Sequence, residues 1–376
     1  MPKVILKDVV ARIKDKVDKN DPALEYYIGG EHFDYGEICV TKKAPIQGST
    51  IGPAFHMRFK PGDVLLMSRN PHLRKAGVVD FEGLCSDVSY VCRTKNEDVL
   101  MQRFLPFIFQ TDHFWDFAEK NKHGSTNYFL NWTDFEKYEF DLPDIEVQKE
   151  LVELLWAAQE LKLAYQAMLI RTDELVKSQF IEMFYGKGYP VKPIGMVIDK
   201  QIARAAKVFK KTDTIQYLDI SSIDNASKTV TGLTPYILND APSRAQYVLK
   251  HGDIVYSTVR PNLQNIAINP YSERNIIGST GFCVLRCTGV RTGYLWGVIN
   301  SDLFTSTMVN KASGANYPAV TDKVVHAYEI PIPPIESQIA YEQIVERSDK
   351  SKFELKKAIE NIDKLMKSLM QQDFSS

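Results

Sequence analysis

Residues 141–186 read DLPDIEVQKELVELLWAAQELKLAYQAMLIRTDELVKSQFIEMFYG, a proline turn followed by a long run with no further Pro or Gly until Gly186. Apolar or small residues recur every seven positions, at Leu151, Ala158, Tyr165 and Thr172 and at Leu154, Leu161, Met168 and Leu175. A sustained heptad of this kind predicts a long helix with a seam for another helix. The chain supplies a second such helix. Pro333-Pro334-Ile335-Glu336-Ser337-Gln338 repeats Pro143-Asp144-Ile145-Glu146-Val147-Gln148 at an offset of 190 residues. At the same offset the seam reads Tyr341, Ser348, Leu355, Ile362 and Leu369 and Ile344, Ser351, Ala358 and Leu365, and Phe374 answers Phe184. The chain is therefore read as two copies of one unit: globular parts over 1–142 and 187–332, helices over 143–186 and 333–376.

With 376 residues, 44% of them hydrophobic and 25% charged, the chain has ample material for two buried cores. No apolar run reaches the ~20 residues of a membrane span, and the N-terminus lacks the apolar core and cleavage site of a signal peptide, so a cytoplasmic protein is expected. The five cysteines fit that reducing setting. Only Cys283 and Cys287 are close, and they read as buried thiols. The net charge of −1 lends no global support to nucleic-acid binding. The charge is uneven, however: residues 191–330 hold 15 Lys+Arg against 10 Asp+Glu, whereas Asp141, Asp144, Glu146, Glu150, Glu153 and Glu160 make the start of the first helix acidic.

In chain order, Ile5, Leu6, Val9, Val10 and Ile13 have helical spacing and suggest a short amphipathic helix. Tyr27 and Tyr217 lie in matched strand-like segments, where core packing and DNA contact are both possible roles. Next come Gly62-Asp63 and Gly252-Asp253, each opening an apolar strand that ends in a loop dense in hydrogen-bonding side chains. One loop holds Arg69, Asn70, His72, Arg74 and Lys75; the other holds Arg260, Asn262, Gln264 and Asn265. Arg, Asn and Gln can read guanine and adenine edges bidentately, although an ordinary polar loop has the same composition. Apolar strands (Gly77–Tyr90; Asn275–Leu285) and aromatic helix-like segments (Met101–Trp115; Tyr294–Val309) follow. Gly124-Ser125-Thr126-Asn127-Tyr128 then pairs with Ser313-Gly314-Ala315-Asn316-Tyr317, suited to a tight turn or to a close phosphate contact.

Catalytic constellations are missing from the sequence. There is no phosphate-binding GxxxxGK[ST], no GxGxxG after a strand and no HxxxH pair. Asn70-Pro71-His72-Leu73 and Asn269-Pro270-Tyr271-Ser272 read as turns, and Pro143-Asp144 with Glu146 and Lys149 has the wrong spacing for a nuclease metal site. The chain itself is expected to be non-catalytic and to bind no metal.

Two unlike globular units, each closed by a proline turn and a heptad helix, resemble the specificity subunit of type I restriction-modification systems. The resemblance rests on Tyr27-Ile28-Gly29-Gly30-Glu31-His32, the Gly62-Asp63 and Gly252-Asp253 strands, Gly124-Ser125 and Ile330-Pro331-Ile332-Pro333-Pro334-Ile335-Glu336-Ser337-Gln338. It covers nearly the whole chain and lies in the order of these motifs and in the repeat. Asp144 in place of a second Pro, Ala315 in the second Gly-Ser motif and a slightly short chain depart from the pattern.

The resemblance implies an α+β fold with two target-recognition domains related by pseudo-two-fold symmetry, each a twisted β-sheet with helices. Two long helices would separate them, pairing as an antiparallel coiled coil. Each domain would read one half of a bipartite, asymmetric site in double-stranded DNA, with the helices setting the gap and docking two methyltransferase subunits and two restriction subunits. Those partners would use S-adenosylmethionine, ATP and magnesium; this chain would need no cofactor. Within each unit, base reading is expected of Arg69, Arg74, Arg260, Asn262 and Gln264, and phosphate contact of Lys42, Lys43, Lys75, Lys207, Lys210, Lys211 and Lys311, with Asn70 of the loop and Ser125, Asn127 and Asn316 of the second segment as further DNA contacts. The seam would be Leu151, Leu154, Leu161, Met168 and Leu175 with Ile344, Leu355, Ile362, Leu365 and Leu369. Rival readings are a specificity subunit of a methyltransferase-only or other defence complex, a nuclease, and a coiled-coil scaffold.

Overall fold

The computed structural model describes residues 2–314 and 316–374; Ala315 and the side chains of residues 371–374 lie outside the described set. The chain divides into two units, residues 1–167 with 355–376 and residues 168–354.

In the first unit, the strand Lys3–Ile5 pairs antiparallel with Glu139–Asp141, the strand just before the proline turn. One four-stranded sheet runs Val10–Ile13, Ser89–Thr94, Val64–Met67, Ala76–Val78; the other runs Ala44–Pro45, Tyr26–Ile28, Gly83–Ser86, Phe55–Phe59. Tyr26–Ile28 and Gly83–Ser86 are parallel, and their other neighbours are antiparallel. Val64–Met67 is buried along its whole length because successive side chains serve different cores. Val64 and Leu66 enter the cluster with the helices, and Leu65 and Met67 enter the cluster under the second sheet. A strand buried on both faces shows no apolar alternation in sequence.

The second unit repeats this plan. Val191–Pro193 pairs with Glu329–Pro331. Its sheets run Ile198–Asp199, Phe282–Cys287, Ile254–Ser257, Ile266–Ile268 and Thr234–Ile237, Thr214–Leu218, Ile276–Ser279, Ala245–Val248. Even the register irregularity recurs, between Phe55 and Met57 in one unit and Ala245 and Tyr247 in the other. An added hairpin, Ile223–Asp224 with Thr229–Val230, is particular to the second unit.

The long helices span Ile145–Phe184 and Ile335–Phe374. The repeated Pro-x4-Gln is a fastener at the start of each. Buried Gln148 donates Nε2 to the Pro143 and Val99 carbonyls (both 2.8 Å) and accepts from the Met101 amide (3.1 Å). Gln338, also buried, donates to Pro333 (2.9 Å) and accepts from the Arg291 amide (2.8 Å). One side chain thus ties the turn to the core loop and satisfies backbone groups that burial would strand. Gly-Asp is likewise structural. Gly62 and Gly252 have φ of +88° and +83°, and the buried Asp63 and Asp253 accept from the Lys60 and Lys250 amides and pair with Arg93 and Arg286.

The helices meet through a polar seam. In the first unit Lys162, with 10% of its side chain exposed, lies 3.0 Å from Asp363 and 3.1 Å from Glu37. Burial pulls its pKa down, but the two carboxylates outweigh it and the net shift is upward. In the second unit Lys352 lies 2.9 Å from Asp173. Lys352 and Asp363 are the repeat counterparts of Lys162 and Asp173. Within the second unit Asp173 meets Lys352 and Phe180 meets Tyr341, so residue numbers fall along one helix as they rise along the other, the mark of antiparallel pairing.

Three sequence readings need correction. The stretch from Ile5 to Ile13 is not an amphipathic helix. It is the strand Lys3–Ile5, a single turn Leu6–Val9 and the strand Val10–Ile13, because backbone pairing with Glu139–Asp141 and Ser89–Thr94 overrides local periodicity. The glycine turns align one residue differently: Gly124 (φ +92°) matches Gly314 (φ +106°), so Tyr128 answers Pro318. The helix seam is also shifted. Leu151 is buried, but Leu154, Leu161, Met168 and Leu175 are 48%, 44%, 50% and 53% exposed, and Val152, Leu155, Gln159 and Lys162 face inward instead. On the second helix Ile362 is buried, Ile344, Leu355 and Leu369 are half-buried, and Leu365 is exposed beside buried Met366. Each helix packs on its unit's sheet core as well as on the other helix, and this rotates the inward face away from the most regular apolar row.

Candidate nucleic-acid interface

In each unit the two segments singled out by sequence are joined by backbone hydrogen bonds. The Asn70 amide donates to the Tyr128 carbonyl (2.9 Å) and the Leu130 amide to Ser68 (2.9 Å). In the second unit Arg260 donates to Pro318 (2.7 Å) and Val320 to Thr258 (2.9 Å). Between the joined strands and the next strand runs one turn of 3-10 helix, Pro71–Leu73 or Pro261–Leu263, with a left-handed residue at each end. These ends are Asn70 (φ 51°) and Arg74 (φ 48°), and Arg260 (φ 51°) and Gln264 (φ 49°). Four of the five described non-glycine residues with positive φ thus occupy this loop. A left-handed backbone costs an L-residue ~1–2 kcal/mol, so surrounding packing must hold it.

The far end of each turn is anchored. Arg74 donates to Asp112 (2.5 Å), the first residue of the helix Asp112–Lys120, whose carboxyl is held below its ordinary range by Lys367 and Arg74. Gln264 donates to Thr305 (2.7 Å) on the helix Asp302–Lys311 and accepts from Lys228 (2.9 Å). Burial, then nearby Lys177, lowers the Lys228 pKa. Arg74 and Gln264 are therefore occupied within the chain. So are Lys75, bonded to the Gly30 carbonyl (2.6 Å), and Lys42, paired with Asp34 (2.6 Å).

What each loop presents outward differs. The first unit shows exposed Arg69, whose guanidinium lies 6.0 Å from the Phe129 ring, with exposed Ser125 and Asn127, while half-buried Lys122, 4.0 Å from the Tyr128 ring, is paired with Glu119 (2.6 Å). The second shows Arg260 4.7 Å above the ring of Tyr317, itself 69% exposed, with exposed Asn262 and Asn316. Arg over an aromatic face keeps donors free while its plane is steadied, a suitable preparation for a base edge or phosphate. Lys311, at the last turn of its helix, and Lys207, Lys210 and Lys211 are exposed outside this loop, and Lys43 sits 3.8 Å over Tyr26. Lys122 and Lys228 escaped the sequence reading. Lys122 borders the glycine turn, and Lys228 belongs to the added hairpin, which has no counterpart in the first copy.

Among the described residues no group of three or more His, Cys, Asp or Glu could hold a metal ion, and no helix is long and apolar enough to cross a membrane. Cys283 is buried with Sγ 3.5 Å from His326 Nε2, and burial raises its pKa well above the ordinary thiol value.

No family model matches the sequence, and no curated protein does. Solved structures do. The S subunit of the type I restriction-modification system from M. genitalium matches with a TM-score of 0.57 at 11% identity, covering 100% of this chain and 96% of that one. The chain has the fold of a type I S subunit. A second match, from a structure concerning complex assembly and conformational transition of the type I restriction-modification system, has a TM-score of 0.60 at 16% identity and covers 99% and 97%. The matched residues cover both units and both long helices.

Proposed function

We propose that the chain is the DNA-recognition subunit of a type I restriction-modification complex, each unit reading one half of a split asymmetric site. The observation that carries this reading is the duplicated loop. Two units with one backbone plan hold the same strained turn against the same glycine turn, yet expose different side chains: Arg69, Ser125 and Asn127 in one, Arg260, Asn262 and Asn316 in the other. Strain retained at a matched loop in both units indicates a working surface. Arg69 and Arg260 would read base edges, while Lys43, Lys207, Lys210, Lys211 and Lys311 would approach phosphates. The long helices set the separation of the two readers and dock two methyltransferase and two restriction subunits. S-adenosylmethionine, ATP and magnesium belong to those partners, and the complex works in the cytoplasm.

The test is a map of methylated adenines in cells expressing this chain with its neighbouring methyltransferase. A motif of two different short half-sites at a fixed gap is expected, and exchange of residues 1–140 for those of a related chain should change one half alone. Absence of new methylation, with the methyltransferase shown to bind this chain, would defeat the reading. Arg260→Ala should weaken binding by roughly ten- to a hundredfold and relax one half-site, as loss of a bidentate base contact does.

A further inference from the structure

In the second unit the chain fills a space that the first unit keeps open. Lys228, in the turn of the added hairpin, donates its ammonium to the amide oxygens of Gln264 (2.9 Å) and Asn300. The residues at matched places, 190 positions earlier, are Ile38, Arg74 and Gln110. All three line a cavity of about 380 Å³ within the first unit. The charges of that cavity form two poles. At one, Lys162 lies between Glu37 (3.1 Å) and Asp363 (3.0 Å), which leaves one carboxylate in excess. At the other, Asp112 lies between Arg74 (2.5 Å) and Lys367 (2.7 Å), which leaves one cation in excess. Asp363 and Lys367 are four residues apart on one helix, so the poles are separated by roughly 6 Å.

The amides of the cavity wall ask for a donor. Gln159, one turn before Lys162, is 1% exposed, and its Oε1 is buried without a hydrogen-bond partner. A carbonyl oxygen in that state is costly to keep. Gln110 commits Nε2 to the Glu37 and Ala76 carbonyls (3.0 and 2.6 Å), so Oε1 is the end it can offer a guest. Ile38, Met366 and Met370 supply an apolar wall.

We propose that this cavity binds a small zwitterion, an ammonium and a carboxylate joined by a short apolar linker. The ammonium donates to Gln159 and Gln110 beside the pole of Glu37 and Asp363. The carboxylate meets Arg74 and Lys367, and the linker lies on the methionines. Three carboxylates and three cations line the cavity and cancel, which suits a guest carrying both signs and none in sum. The second unit has given up both halves of the receptor. Lys228 brings an ammonium from within the chain, neutral Gln264 replaces the anion-binding Arg74, and Asp349, in place of Gln159, is paired with Lys352 (2.9 Å).

Calorimetric titration of the full chain tests this with γ-aminobutyrate and ε-aminocaproate against butylamine and butyrate. Saturable binding of one zwitterion per chain is expected, with both singly charged probes weaker by roughly tenfold or more, the worth of one charged hydrogen bond. Arg74→Gln installs the residue that the second unit carries on the same left-handed backbone, and should weaken binding by a similar factor. Gln159→Leu removes the unpartnered oxygen and should also weaken binding, without lowering the melting temperature. Failure of both zwitterions to bind, equal binding of butylamine or butyrate, two sites per chain, or affinity indifferent to both substitutions would overturn the proposal.

Discussion

The two units are one design carried out twice in a single chain, which separates what the fold requires from what it permits. Gln148 and Gln338, Asp63 and Asp253, and Gly124 and Gly314 keep both identity and task. The left-handed positions keep their backbone and change their residues, Asn70 to Arg260 and Arg74 to Gln264. The sets of outward side chains differ between the two. Residues that bind backbone groups are fixed by geometry, whereas exposed residues answer only to what they meet.

The comparison can be broken most forcefully at the helix fasteners. Gln148→Leu should cost about 3 kcal/mol and Gln338→Leu about 2, at ~1 kcal/mol per hydrogen bond, because Gln148 makes three bonds and Gln338 two. Urea titration of each variant checks this, and equal losses would refute the bond-by-bond account.

The helix bridges come next. Lys162→Ala should cost about 2 kcal/mol, less than a fully buried pair because the Asp363 side chain is 50% exposed. Lys352→Ala should cost only about 0.5 kcal/mol, since its side chain is 25% exposed and that of Asp173 60%. A larger loss at Lys352, read by the same titration, would reverse the assignment of the stronger lock to the first unit.

The smallest effect sharpens the loop. Arg260→Gly should stabilise by about 0.5 kcal/mol, releasing ~1 kcal/mol of left-handed strain and losing roughly half of that with the Tyr317 contact. Asn70→Gly should change little, because Asn visits that conformation at low cost. Thermal melts of both variants test it. A gain at Arg260 together with weaker DNA binding would show strain maintained for use.

Much of this architecture was legible in the sequence. The Pro-x4-Gln repeat, the unbroken run to Gly186 and the Gly-Asp turns are local signals whose causes lie within a few residues. The loop and the glycine turn were each visible, but not the hydrogen bonds from Asn70 to Tyr128 and from Arg260 to Pro318 that unite them across sheet neighbours. Nor was the anchoring of Arg74 on Asp112, which takes an apparent reader out of play. The seam of the first helix misled because Leu154 and Leu161 repeat more regularly than Val152, Leu155, Gln159 and Lys162. Hydrophobic regularity marks a helix face and says nothing of what that face packs on.

The paired ribbons beside the proline turns have one more consequence. The chain enters the first unit's sheets after Lys3–Ile5 and leaves through Glu139–Asp141; in the second it enters after Val191–Pro193 and leaves through Glu329–Pro331. Hydrogen-bonded strands lie only ~5 Å apart, so entrance and exit share one doorway. Whatever is threaded through that doorway can be lengthened, shortened or exchanged for a foreign insert without stretching the helix that follows. A gene built this way can acquire new globular units by grafting, joint for joint, while its frame is inherited unchanged.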